Sequence, residues 1–242
     1  MIAIDVSRSM LSKDITPSRL EKAKLELAGL IDKLKGDRIG IVAFAGEAVI
    51  QCPLTLDRGA VKLFLSTVNP NLISYQGTSL ASAIRVATQA FSEKEKEYKA
   101  LILLTDGEDN EPGALQAAQK AKEAGVRIFT IGIGTQDGSP LPADFDEQSY
   151  KKDRSGEVVI SRLNESLLKD IARETGGVYY RASRGELEAD NLARELGMMK
   201  QKDMQAGWTV EYRENYQPFL LVALLFLFFE MILSEGKRNE KF

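Results

Sequence analysis

The sequence predicts an α/β fold, a doubly wound and mostly parallel sheet with helices on both faces, plus a C-terminal transmembrane helix. Three observations carry this. Short apolar runs alternate with amphipathic helical patterns along most of the chain, and that alternation implies parallel strands covered on both faces. At 242 residues and 44% hydrophobic content, the chain can bury one sizeable core and carry an appendage. Near the C-terminus the alternation stops and residues 219–229 form an unbroken apolar run.

Residues 2–4 read as a fragment of a buried strand. A helix follows from Pro17, where Leu20, Ala23, Leu27, Leu30, Ile31 and Leu34 recur at helical spacing, with Thr16 as N-cap, Pro17 in the first turn and Gly36 as the stop. Residues 38–44 read as a strand and 48–51 as a short antiparallel edge or turn-back. Helical patterns at 57–66 and 78–91 precede a strand at 100–105, a helix at 112–124 and a strand at 126–133. A helix at 165–175, the pair Gly176-Gly177 and a strand at 178–181 complete a domain spanning 1–181. No internal repeat or low-complexity segment interrupts it.

Composition narrows the chemistry. A formal net charge of −3 with both signs mixed offers no polyanion footprint, so nucleic acid is not an expected partner. Cys52 is the only cysteine, which excludes an intrachain disulfide and a thiolate metal cluster. Histidine is absent, removing the commonest general base, every Ser-His-Asp arrangement and most zinc and iron sites. Oxygen ligands are what remains.

Those oxygens gather at strand ends. Asp5, Ser7 and Ser9 leave the carboxyl end of the first strand, Asp106 leaves the strand at 100–105, and Thr78 opens a helix from another loop. In a doubly wound sheet this edge is where ligands sit. Two carboxylates with several neutral hydroxyls suit a hard octahedral cation that keeps some water, Mg²⁺ or Mn²⁺. Taken singly, each group also fits a plainer role: a turn and helix cap for Asp5, Ser7 and Ser9, an N-cap for Thr78, a β-turn for Thr105-Asp106-Gly107.

Taken together, DVSRSM, GTSL and LLTDGEDN resemble the metal-ion-dependent adhesion site of a von Willebrand factor A domain, over about residues 2–181. The resemblance implies that Ser7, Ser9 and Thr78 approach the ion, that Asp5 and Asp106 hold its waters or bind directly, and that a protein partner's Asp or Glu completes the shell. Longer stretches, DVSRSMLSKDITPSRLEKAK, RIGIVAFAGEA and YKKDRSGEVVISRLNESLLKDIARETGGVYYRA, with the hydrophobic tail, resemble the bacterial Bat-type proteins of aerotolerance operons. That implies a non-catalytic, membrane-anchored protein working with a MoxR-type AAA+ ATPase and other membrane proteins of its kind. Arg8 stands where many A domains carry glycine, adding bulk and charge beside the ion without removing a ligand.

The connection at 134–162 is long. Residues 149–152 and 157–160 read as a hairpin around Asp-Arg-Ser-Gly, with 138–142 as a turn-rich loop, either packed structure or partner surface. The acidic stretch 144–147 reads as a solvated loop or a second cation site. Residues 182–216 read as a linker with a capping box at 183–186, a helix carrying Leu187, Leu192, Leu196 and Met199, and a strand with Trp208, Val210 and Tyr212. Residues 217–234 read as the membrane span, and the tail 235–242, with Lys237, Arg238 and Lys241, as cytoplasmic. The domain would then face the periplasm of a bacterial inner membrane, which requires an N-terminal export segment before the first strand. The alternative is a cytoplasmic domain anchored by its tail. A rival function is a Mg²⁺-dependent phosphoryl-transfer enzyme with Asp5 as nucleophile, although Ser7 stands where phosphatases of that kind carry a second aspartate.

Overall fold

The computed structural model describes residues 1–91, 98–143, 149–182, 189–207 and 217–234, with only the backbone described at 189, 200–207, 217–220 and 231–234. It forms two compact units, 1–201 and 202–242. The first contains strands β1 (Ile2–Asp5), β2 (Ile39–Phe44), β3 (Ala48–Thr55), β4 (Lys99–Thr105), β5 (Val126–Ile133), β6 (Ser139–Pro140), β7 (Ile160–Ser161) and β8 (Tyr179–Ala182). Its helices are α1 (Arg19–Lys33), α2 (Arg58–Thr67), α3 (Leu80–Gln89), α4 (Ala114–Glu123) and α5 (Glu165–Thr175), and α6 (Ala189–Gly207) begins in it.

The main sheet has the order β3-β2-β1-β4-β5-β8, parallel except for the antiparallel edge strand β3. The period-2 rule places alternate residues on opposite faces. Ile2, Ile4, Ile41, Ala43, Ile102, Leu104, Ile131 and Ile133 join one core with α1, α2 and α6. Ala3, Val42, Phe44, Leu101, Leu103 and Ile128 join the other with α3 and α4. Each fully buried aliphatic side chain contributes about 1.5–3 kcal/mol by leaving water, so both layers clamp the central strands and fix where their ends lie.

The elements arise as the sequence predicts, with local corrections. Helix α1 is capped by Ser18, whose extended backbone lets its hydroxyl accept from the Glu21 N–H, so Thr16 is not the cap and Pro17 precedes it. Strand β3 continues to Thr55 because an edge strand tolerates Pro53, which has no N–H to give. Helix α3 is capped by Ser79 rather than Thr78. The hairpin forms as a bridge between Lys152 and Val158, and the turn-rich loop joins it: β6 pairs antiparallel with β7, and the Leu141 N–H donates to the Val159 carbonyl.

In the second unit, α7 (Gln217–Ser234) is helical. Its described side chains include Leu221, Val222, Leu224, Leu225, Phe226, Leu227, Phe228 and Phe229, all exposed. Among the described residues no helix is long and apolar enough to cross a membrane. The acidic stretch 144–147, the capping box 183–186, the strand expected around Trp208, Val210 and Tyr212, and the basic tail with Lys237, Arg238 and Lys241 lie outside the described residues.

Candidate metal centre

Parallel register brings two strand ends together: Ile4 pairs with Leu104, so Asp5 and Thr105 leave the sheet side by side. The Asp5 carboxylate accepts the Ser7 N–H at 2.8 Å on one oxygen and the Thr105 hydroxyl at 2.6 Å on the other. The first bond is an Asx-type turn that folds Ser7 back over the strand end. Ser7 stands at the N-cap of a 3₁₀ turn (Arg8–Leu11), yet its side chain makes no cap bond. Its hydroxyl lies instead 3.0 Å from that of Ser9.

Thr78 reaches the same edge by another route. The Ser79 N–H donates to the Ala45 carbonyl at the end of β2, and the Ser79 hydroxyl caps α3, which leaves Thr78 outside the cap. The Thr78 N–H donates to Asn110 Oδ1 at 2.9 Å, and the Asn110 N–H returns to the Thr78 carbonyl at 2.9 Å. Ser79 Oγ also donates to Glu111 at 2.8 Å. The loop opening α3 is thereby tied to the loop after Asp106.

One oxygen of Asp106 accepts the Glu108 N–H at 3.1 Å, and the other accepts Arg19 Nη1 at 3.0 Å. The backbone can turn sharply here because Gly107 has φ 76°, and a Cβ at Gly107 would stand 2.5 Å from the Asn164 carbonyl. Asp5, Ser7, Ser9, Thr78 and Asp106 are all buried. Burial, then the charge of Asp106, pushes the Asp5 carboxyl up to about 7 against the pull of its Ser7 and Thr105 hydrogen bonds. Burial, then Glu108, raises Asp106 as well, while Arg19 and Ser9 pull it down. Both carboxyls are raised first by burial and second by a neighbouring negative charge, and a divalent cation beside them would favour their ionised forms.

Hydrogen bonds thus join Asp5 to Ser7, Ser7 to Ser9, and Asp5 through Thr105 to the strand end that carries Asp106. Thr78 is held through Asn110, and its neighbour Ser79 through Ala45, with no direct bond from Thr78 to the other four among the described residues. The donor set has the hard-oxygen chemistry the expected ion needs. The Ser7 and Ser9 hydroxyls lie 3.0 Å apart, a hydrogen-bond distance that is also about the spacing of neighbouring ligands on an octahedral Mg²⁺ with ligands at about 2.1 Å. No group of three or more Asp, Glu, Cys or His that could hold a metal occurs among the described residues. This edge is of another type, two carboxylates with three hydroxyls.

The rival role of Asp5 as a nucleophile would need open access for a phosphoryl group, and Asp5 is fully buried.

The structure adds residues that sequence reasoning missed. Arg19 is fully buried, and its guanidinium donates to Asp106, to Ser161 Oγ at 2.7 Å, and in a fork to Asp14 at 2.8 and 2.9 Å. Asp14 in turn accepts the Thr135 N–H and hydroxyl. Gly134 has φ 135°, which other residues rarely adopt, and a Cβ there would also stand 3.1 Å from the guanidinium. A signal did exist. Arg19 extends the buried stripe of Leu20, Ala23 and Leu27, where a charge needs a partner. Arg8 also reaches the insertion, donating to the Ala143 carbonyl at 3.0 Å.

A doubly wound α/β domain with hydroxyls and carboxylates converging at its carboxyl edge defines a class, and the comparisons agree with it. The von Willebrand factor type A domain model matches residues 1–188, and the chain belongs to that family. Among solved structures it is similar to the conserved hypothetical protein BatB from Bacteroides thetaiotaomicron, at 40% identity and TM-score 0.78, covering 83% of this chain and 97% of that one. An aerotolerance-related membrane protein from Bacteroides fragilis NCTC 9343 is 37% identical with TM-score 0.75, covering 84% and 98%. A UPF0353 protein of Nocardia farcinica is 29% identical over 239 residues, covering 93% of this chain and 68% of that protein. The chain spans 63% of the length of a similar Mycobacterium protein and 51% of a Mycolicibacterium paratuberculosis one.

Proposed function

We propose that this chain is a non-catalytic, metal-dependent protein-interaction module. Ser7, Ser9 and Thr78 would hold Mg²⁺ or Mn²⁺, with Asp5 and Asp106 engaged through water or directly. The observation that carries this reading is the 3.0 Å pair of buried hydroxyls, Ser7 and Ser9, oriented by a buried aspartate that is itself fixed by Thr105. Bound there, the cation would supply an electrophilic position for a carboxylate, because its nearest protein ligands are neutral. A partner's Asp or Glu suits that position. The loops around it, including Arg8 and the insertion it contacts, would supply the surface that tells one partner from another.

The same reading places the module at a bacterial inner membrane. Helix α7 exposes large apolar side chains on all sides, and such a helix is stable only in lipid or against a partner. Similarity to BatB and to an aerotolerance-related membrane protein supports the assignment. On it, α7 with the residues that flank it anchors the chain in the bilayer, the domain faces the periplasm, the tail is cytoplasmic, and a MoxR-type AAA+ ATPase and other membrane proteins of this family are its working partners.

The test is a Mn²⁺ titration of the purified protein, followed by recovery of partners from membranes with and without EDTA. Saturable binding that weakens strongly in both Asp5→Ala and Asp106→Ala, with partner release by EDTA and by Thr78→Ala, is the expected outcome. Equal Mn²⁺ binding by wild type and both carboxylate variants would reduce the site to a set of turns.

A further inference from the structure

We propose that Arg19 is a positioning residue for the cation, holding Asp106 in the outer coordination sphere so that the ion keeps an open position for an incoming carboxylate. The inference rests on the metal-dependent reading above and assigns a role to a residue outside its ligand set.

The geometry leaves Asp106 little freedom. One oxygen is fixed by the Glu108 N–H at 3.1 Å, and the other carries Arg19 Nη1 at 3.0 Å with Ser161 Oγ at 3.4 Å. Arg19 cannot swing aside to release it. Its Nε and Nη2 are forked onto Asp14, its Nη2 also reaches the Ser161 carbonyl at 3.3 Å, and Gly134 packs against its planar head. A bidentate guanidinium–carboxylate pair is rigid in a way that a lysine pair is not. Moving Asp106 toward the ion would pull Oδ2 away from a fully buried, fixed guanidinium, and a buried charge pair is costly to stretch.

The charge balance points the same way. Arg19 offsets part of the negative charge of Asp106 before any cation arrives, so the cation meets a weaker field than two free carboxylates would give. The ion is held less tightly and remains more electrophilic. A site meant only to retain its metal gains nothing from a buried cation beside a ligand; a site meant to bind a carboxylate does.

The test uses the full chain and Mn²⁺ alone as probe, with affinity and the number of metal-bound waters read by electron paramagnetic resonance in H₂O and D₂O. Arg19→Gln should bind Mn²⁺ on the order of tenfold more tightly than wild type and lose one bound water as Asp106 enters the inner sphere. Asp106→Asn should bind more weakly than wild type, with the wild-type water count. If Arg19→Gln does not fold even with Mn²⁺, Asp106→Asn decides alone: one additional bound water means that Asp106 was a direct ligand, and the inference is overturned. Equal or weaker binding by a folded Arg19→Gln with no change in water count overturns it too, while leaving the metal site standing. Failure of wild type to bind Mn²⁺ at all removes the functional reading and this inference together.

Discussion

The Thr105 hydroxyl donates to Asp5 at 2.6 Å across the boundary between β4 and β1, joining groups one hundred residues apart in the chain. The same hydroxyl accepts the Gly107 N–H at 3.0 Å, so one side chain fixes both the aspartate of the first loop and the turn that launches Asp106. Thr105→Val keeps the shape and removes both bonds. A buried carboxylate oxygen left without its donor costs about 1–3 kcal/mol. Urea denaturation without metal should show that loss, and Mn²⁺ affinity should fall because Asp5 no longer holds Ser7 in place. Unchanged affinity would mean that Asp5 holds Ser7 without the help of Thr105.

Metal should stabilise the fold by mass action. A ligand at one hundred times its dissociation constant adds about 2.7 kcal/mol to the native state. Differential scanning calorimetry with saturating Mn²⁺ should therefore raise the wild-type midpoint. In Asp5→Ala the relief of repulsion with Asp106 is set against the loss of the acceptor for the Ser7 N–H and the Thr105 hydroxyl in the metal-free midpoint, and the response to Mn²⁺ should vanish. A full response in the variant would place the ion elsewhere.

Much of this was legible from the sequence, and the reasons are physical. Period-2 strands buried on both faces and helical stripes such as Leu20, Ala23 and Leu27 are local patterns, so the doubly wound sheet follows from them. The five polar residues at its carboxyl edge follow from where the strands end. Two kinds of feature did not follow. Thr78 and Ser79 are adjacent hydroxyls and either could cap α3; only the fold shows that Ser79 does, while Thr78 is tied to Asn110. Arg19 reads as a first-turn helix residue because its partners Asp106 and Ser161 lie 87 and 142 positions away. Charge pairs at that separation exist only once the sheet has formed.

Asp14 supplies a pH test of the Arg19 cluster. Burial raises its carboxyl, but the Arg19 guanidinium and the Thr135 N–H and hydroxyl outweigh burial, and the net shift is downward. A folded value below the unfolded one means that the unfolded chain binds the proton first as acid is added. The stabilisation is complete above the unfolded value near 4 and is lost as pH falls through the folded one. Asp14→Asn should therefore be less stable than wild type at neutral pH, with the gap closing in acid. Midpoints measured from pH 2.5 to 7 check this, and a gap that stays constant would mean that folding leaves the Asp14 carboxyl unshifted.

Helix α7 carries the membrane part of the proposal, and charge placed in its middle tests it in the 242-residue chain. Leu224 and Phe226 are exposed, so changing them removes no packing among the described residues. In water, arginine at these positions would improve solubility; at the centre of a spanning helix each arginine costs about 2.5–3.5 kcal/mol of insertion free energy. The apolar run is short, and Glu230 already lies within α7, so there is little surplus to absorb that cost. The double variant Leu224→Arg with Phe226→Arg should move the protein from the membrane fraction to the aqueous fraction in a flotation gradient, while Mn²⁺ binding by the N-terminal domain stays as in wild type. Retention at the membrane after both substitutions would assign attachment to another part of the chain and leave α7 as a helix that docks against a partner.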